Sequence, residues 1–550
     1  MIRKNLFYYF LFAGLTGSLQ SVFAQEPSNK SAADTDKDTL HLVEILGARK
    51  LELRKTDDST NLQILAGNVR LKQGKTLFDC DSCVINNRTN IFEAFGHVHI
   101  NDADTSNVYS DYLQYLMQKK VAYLKGNVKL TDGKGTLTTP DLEYDVDTKI
   151  GIYKNGGRVV NKKTVLTSQE GYYYTDLKDV YFKKNVVLTD PVYHLRTDSL
   201  IYNTENETAR FISYTFIKDS SGRTIETTDG FYNLKTGKAE FGQRPKIRDG
   251  KLFVTGNHVT SDDSTGKIEI RGKGIMIDTA EGRSVFAENI LINKKTNSFL
   301  ATQKPLMIVK QDNDSIYISA DTLFSARLTD VYEKKDSVVK ETVKGVKVVS
   351  TDDKDSSNRF FQAYHHVRIF SDSLQAVCDS MFYSFRDSVF RLFDNPIVWS
   401  KESQITGDTI LLYTKNKKAD RLKVIEHSFL VNKIDPEIFN QVKSTKMDGF
   451  FSEGSLDSIR AKGFAECIYF IQDEDSAYTG INESKSDALD IYFSAGTDGK
   501  DKKLQKVVFR SDVTGTIWPI KQKDPKEMRL PNFQWLENKR PKTKFELMEK

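Results

Sequence analysis

With 550 residues, 28% charged and 39% apolar, the chain is too long for one ordinary core but has the balance of a soluble protein. Its formal charge of +5 is small and evenly mixed, and no Lys/Arg cluster with interleaved aromatics occurs, so nucleic acid is excluded as a partner. Eleven prolines exclude long proline-rich linkers, and the aromatic supply is 33 Phe and 24 Tyr against 3 Trp.

Residues 1–24 read as a signal peptide. Arg3 and Lys4 precede the apolar run from Leu6 to Leu15, and Val22-Phe23-Ala24 suits cleavage before Gln25. The run is too short to span a bilayer, and no later stretch reaches the ~18 apolar residues a membrane helix needs. No cysteine lies near the cleavage point to carry a lipid anchor. A C-terminal transmembrane barrel is not expected either, because the last segment is polar and carries Pro519, Pro525, Pro531 and Pro541. Residues 25–40, rich in Ser, Asp and Lys, read as disordered.

From there two short elements alternate. The first is Gly67-Asn68-Val69-Arg70-Leu71, repeated as Gly96-His97-Val98-His99-Ile100 and Gly126-Asn127-Val128-Lys129-Leu130. Weaker copies begin at Asn185, Asn289 and His366. The second is an acid, or its stand-in, with apolar residues at +2 and +4. It reads Asp81/Cys83/Ile85, Asp111/Leu113/Tyr115, Pro140/Leu142/Tyr144, Glu170/Tyr172/Tyr174, Asp198/Leu200/Tyr202 and Asp229/Phe231, at intervals of 28 to 31 residues. A fixed period in this range marks a stacked, quasi-one-dimensional architecture.

Period-two alternation puts Val69 and Leu71 on one face and Arg70 on the other. Gly-Asn is expected to supply turns, and the acids to act as turn formers bonding their own backbone. Each unit then holds a strand with a basic outer face (Arg70, Lys129, Arg368) and a strand whose inner face is Leu and Tyr. Helical signals are nearly absent, apart from one short candidate over Glu437 to Val442. The fold class is all-β.

Three parts follow from the pattern: regular repeats over 41–245, a looser repeat region over 246–425 with a charged insert at 329–358, and a β-rich segment at 426–550. Cys80 and Cys83 form a C-x-x-C, but in a straight strand positions three apart face opposite sides, roughly 10 Å apart at ~3.3 Å per residue. They therefore read as packing residues, as does Cys378, while Cys467 has no evident partner. Asp473-Glu474-Asp475 with Asn482 and Glu483 lacks an EF-hand's spacing, and the eight His show no metal-ligand pattern. No catalytic residue, metal or cofactor is expected.

A stack of such strands is on the order of 100 Å long at ~4.8 Å per strand. Its inner Leu, Tyr, Val and Ile either fill a dry core or line a long apolar groove, and periodicity alone favours the filled core.

The alternation of G-N-V-x-L with an acid, a hydrophobe and Tyr resembles the OstA-like/LptA family of periplasmic lipopolysaccharide-transport proteins, and the periplasmic N-terminal domain of LptD. It is strongest over residues 45–205. The resemblance implies an elongated β-jellyroll, a V-shaped stack of antiparallel strands whose interior holds lipid A acyl chains. It implies a non-enzymatic bridge in the periplasm carrying lipopolysaccharide toward the outer membrane. The partners it implies are other transport components at both membranes, with head-to-tail self-association left open. Carried over by slot, the lipid-lining candidates are Val69, Leu71, Val98, Ile100, Leu113, Tyr115, Val128, Leu130, Leu142, Tyr144, Tyr172, Tyr174, Leu200 and Tyr202. Two departures stand out: the chain is far longer than the short bridging member, and residues 426–550 match no family motif. The rival readings are an exported carbohydrate-active parallel β-helix and a structural or adhesive repeat protein with a closed core.

Overall fold

The computed structural model describes residues 43–55, 61–102, 106–310, 315–331, 358–415, 418–452, 455–473, 477–495 and 502–548. The expected signal peptide, the segment 25–40 and most of the charged insert lie outside them. The described chain is one 40-stranded sheet in which every pairing is antiparallel. A parallel β-helix is thereby ruled out.

Each strand is bent once. Asn61–Gln73 pairs with Thr76–Asn86 in two blocks, Leu62↔Asn86 to Ala66↔Ser82 and Val69↔Cys80 to Gln73↔Thr76. The register breaks at Gly67-Asn68. The next strands, Ile91–Asp102, Ser106–Leu116 and Val121–Thr131, break in line with it. Gly67, Asn68, Gly96, His97, Gly126 and Asn127 all have φ between 46° and 81°. A left-handed pair inserted in a strand is a bulge that turns the chain sharply. The Gly-Asn elements are therefore mid-strand corners. The expectation of turns between strands fails because a corner and a turn both need residues that tolerate positive φ.

Farther along, the corner splits strands in two, as in Ile150–Tyr153 with Gly157–Asn161. Twelve bent rungs are split this way and sixteen are whole, so forty strands make twenty-eight rungs. At ~4.8 Å per rung the sheet is about 130 Å long. It is folded along the row of corners into two walls.

The inner faces of both walls merge into one apolar cluster running from Leu65 to Ile491. Alternation resets at each corner, which corrects the reading of the C-x-x-C. Cys80 and Cys83 flank the Asp81 corner, and both point inward, buried and as free thiols. The true hairpin turns lie at the wall edges, where Asn86, Asp145, Asn203 and Asn233 accept bonds from backbone N–H groups two or three residues ahead.

The rungs continue through the segments set apart in the sequence. Lys418–Asp435, Ile438–Ser452, Ser455–Gln472 and Tyr478–Ala495 are long bent strands of the same sheet. The helix expected over Glu437 to Val442 is strand, because Phe439 and Val442 serve opposite faces of a wall buried on both sides. After Thr514–Pro519 the chain leaves the sheet and runs back along the outside of one wall. There Leu530, Phe533 and Trp535 cover Phe429, Val431, Phe439, Ile468 and Phe470. Three outward glutamines hold this strap. Gln441 Nε2 donates to Met528 O (2.9 Å), Gln404 Nε2 to Gln534 O (2.8 Å), and Gln375 Oε1 accepts from Arg540 (2.7 Å).

Candidate apolar interior and its seam

The corners are fastened from rung to rung. His97 Nδ1 lies 2.8 Å from Asp81 Oδ2, Asn127 Nδ2 donates to Asp111 (2.7 Å), Asn155 to Asp141 (3.0 Å), and Lys184 Nζ to Glu170 (2.6 Å). His365 with Asp379 and His427 with Asp408 repeat the pattern. The periodic acids thus bond the corner residue of the next or a neighbouring rung, a correction to their reading as self-bonding turn formers. At Gly96 the fit leaves no room for a side chain: a Cβ would lie 2.3 Å from Asp81 Oδ2.

Of the lining candidates, Val69, Leu71, Val98, Ile100, Leu113, Tyr115, Val128, Leu130, Leu142, Tyr144, Leu200 and Tyr202 point inward, none more than 2% exposed. Tyr172 and Tyr174 do not. They face outward and are half-buried, Tyr172 stacked on Tyr181 with the Lys183 ammonium over both rings. Tyr173 takes the inner position and is fully buried. The cause is a slip of one residue: Gln169, not Glu170, matches Pro140, and Glu170 matches Asp141. In a strand one residue exchanges the faces. Counted correctly, the last inner residue of one wall is Tyr115, Tyr144, Tyr173, Tyr202 and Tyr232, a steadier repeat than the acids gave.

These tyrosines end where the walls meet. Tyr115 OH donates to Gln73 Oε1 (2.6 Å), and Tyr144 OH donates to Asp102 Oδ2 (3.0 Å) and lies 2.8 Å from Ser106 Oγ. Asn161 Nδ2 reaches Thr204 O (2.6 Å) and Tyr202 OH (3.4 Å). In each pair one residue is at the edge of one wall and its partner at the edge of the other, with 38 to 43 residues of chain between them. Together they close the mouth of the V as a polar seam over a dry interior. Burial pushes the Tyr115 and Tyr144 hydroxyls above the usual tyrosine range, and that of Tyr202 to about 12.

The seam changes chemistry along the stack. Arg223 grips Asp263 with two bonds (2.7 and 3.0 Å), and Tyr232 OH donates to the same carboxylate (2.6 Å). Burial alone would raise the Asp263 carboxyl, but Arg223 and Tyr232 outweigh it and hold it at about 2. Lys294 pairs with Asp249. Next, Glu281 bridges two buried guanidiniums, Arg283 (2.8 Å) and Arg359 (3.1 Å). Burial and the neighbouring Arg283 push Arg359 down to about 10.

Outside the walls, Arg70 pairs with Asp79 (2.9 Å), the Lys129 ammonium sits over Tyr109, and Arg368 meets Glu546 (3.2 Å). Among the described residues no cluster of metal-ligating side chains occurs. Sequence reasoning missed the seam and the strap glutamines. The seam did leave a signal, the 29- to 30-residue spacing of Tyr115, Tyr144, Tyr173, Tyr202 and Tyr232.

Residues 41–198 match the family described as OstA-like protein. Among solved structures the chain is similar to LptH from Pseudomonas aeruginosa, described as the LptA-homologous periplasmic component of the conserved lipopolysaccharide transport device. That likeness has 18% identity and a TM-score of 0.18, and it covers 20% of this chain and 80% of the other. No curated protein matches.

Proposed function

We propose, on the premise that residues 41–198 are OstA-like, that this protein is a non-enzymatic periplasmic carrier of lipopolysaccharide. Its lipid A acyl chains would lie between the two walls and move along the stack toward the outer membrane, handed on by other transport components. The observation that carries this reading is the unbroken apolar interior, shared by both walls over nearly the whole sheet. Acyl chains need a long dry channel, and at 25 cal/mol per Å2 or so each buried methylene contributes about 0.8 kcal/mol. The sugar and phosphate head would stay outside, at the polar seam.

A second reading has an observation in its favour. The inner side chains fill the space between the walls, as they would in a purely structural repeat protein with a closed core. The composition of the seam argues for the carrier. A permanent closure is best made from apolar residues, whereas hydroxyl, amide and carboxylate groups keep much of their hydrogen bonding when water replaces a partner.

A photo-crosslinking residue placed at Leu113, Tyr144 or Leu200 in cells tests the proposal. The expected outcome is a covalent adduct with lipopolysaccharide at all three. If a known bridge protein gives adducts under the same conditions and these positions give none, the carrier reading is wrong and the closed-core reading stands.

A further inference from the structure

The strap ends in an unusual patch of surface. Its last turn, Phe545–Met548, sets Leu547 against the outside of one wall. Phe545 and Met548, one helical turn apart, stay exposed at 58% and 45%. Beside them an open cavity of about 520 Å3 has a floor of Ile275, Phe286, Leu306 and Ile308. Its rim carries Arg244, Lys273 and Lys304, three residues at corners of alternate rungs. Lys542 and Lys544 on the strap add two more exposed charges of the same sign.

Several corners elsewhere are neutral or matched: His97 meets Asp81, Lys184 meets Glu170, and Asn127 meets Asp111. Here Arg244 meets only the amide of Asn257 (3.3 Å), and Lys273 and Lys304 have no carboxylate partner among the described residues. Of the acids nearby, Glu546 is taken by Arg368, Glu288 accepts the Lys273 backbone N–H, and Asp229 lies against the Gly242 end of the Arg244 corner. The patch therefore pairs protruding apolar side chains with a surplus of positive charge along one ridge.

We propose that this ridge docks on the anionic phospholipid surface of a membrane. Phe545 and Met548 enter the acyl boundary, and Arg244, Lys273, Lys304, Lys542 and Lys544 lie at the level of the phosphates. Apolar insertion combined with a basic ring is what interfacial binding requires. A peptide partner that adds a strand is disfavoured, because the rungs beneath the patch are paired on both sides. The proposal does not depend on what the interior carries.

The test is co-sedimentation of the full mature chain with lipopolysaccharide-free vesicles. One set contains phosphatidylglycerol and phosphatidylethanolamine, the other phosphatidylcholine alone. Binding is expected to the anionic set only and to weaken with added salt. The double variant Phe545→Ser/Met548→Ser, and separately Lys542→Glu/Lys544→Glu, should each lower the partition coefficient by about tenfold or more. Phe464→Ser, which alters a more exposed phenylalanine elsewhere, should leave it unchanged. Equal binding to both vesicle types, no binding to either, or binding indifferent to the Phe545/Met548 pair would overturn the proposal. Every substituted side chain is exposed, and an unchanged near-ultraviolet circular dichroism spectrum confirms that the fold persists.

Discussion

The seam closes two consecutive stretches of the stack with different chemistry. Over the rungs from Asn61 to Asn203 it is held mainly by hydrogen bonds from Tyr115, Tyr144 and Asn161, with one ion pair between Lys178 and the buried Asp132 (3.8 Å). From Arg223 to Arg359 it is held by guanidinium and carboxylate groups, several of them buried. A protein–protein hydrogen bond that water can replace is worth about 1 kcal/mol net. Separating buried charges leaves each one uncompensated and costs several kcal/mol. On the proposed function, the tyrosine half is the part of the mouth that would open, and the charged half is the part that would hold.

The largest test of that contrast removes the bridge in the charged half. Glu281→Ala leaves Arg283 and Arg359 buried side by side and should cost about 3–5 kcal/mol, read from the urea midpoint. Gly96→Ala, in the tyrosine half, forces a left-handed alanine against Asp81 and should cost roughly 1–2 kcal/mol in the same measurement.

Tyr144→Phe should cost less, about 1 kcal/mol, while speeding hydrogen exchange along the edges of the first rungs only. Alkali separates the halves without mutation. Burial raises the folded-state pKa of Tyr144 above the unfolded value of ~10. Its stabilisation is then complete below pH ~10 and is lost as the pH climbs through the raised value. Exchange monitored from pH 9 to 11 should rise at Tyr115 and Tyr144 before it rises at Arg283.

The smallest effect is expected at His97. The Asp81 carboxylate raises its pKa, so the link is fully formed below pH ~6.5 and fades as the pH rises through the folded-state value. The pair is solvent-exposed, so nuclear magnetic resonance titration of the His97 ring should show the shift, and global stability should barely move.

The inward set Val69, Leu71, Val98, Ile100, Leu113, Val128 and Leu130 was legible in sequence because strand alternation is local and each corner restarts it at a recognisable Gly. Tyr172 and Tyr174 were misplaced because the acid slot wanders by one residue between Gln169 and Glu170, and one residue decides the face. Cys80 and Cys83 are buried packing residues as expected, but they were put on opposite faces for a related reason, since a corner between them cancels the rule for straight strands. The seam was hidden because Tyr144 and Asp102 are brought together only when the sheet folds. The strap was hidden too, because Gln375, Gln404 and Gln441 look like ordinary polar surface until the tail lies over them.

The central claim is that acyl chains reach the interior through the tyrosine seam. It is tested most directly by locking that seam. A Gln73→Cys/Tyr115→Cys pair, bridged in the purified protein by a bifunctional thiol reagent long enough to span the gap, joins the two wall edges where Tyr115 OH now meets Gln73. A photo-crosslinker at Leu113 then reports capture of added lipopolysaccharide. The account predicts adducts in the unbridged protein and their loss in the bridged one. Equal adducts with the seam locked shut would contradict it.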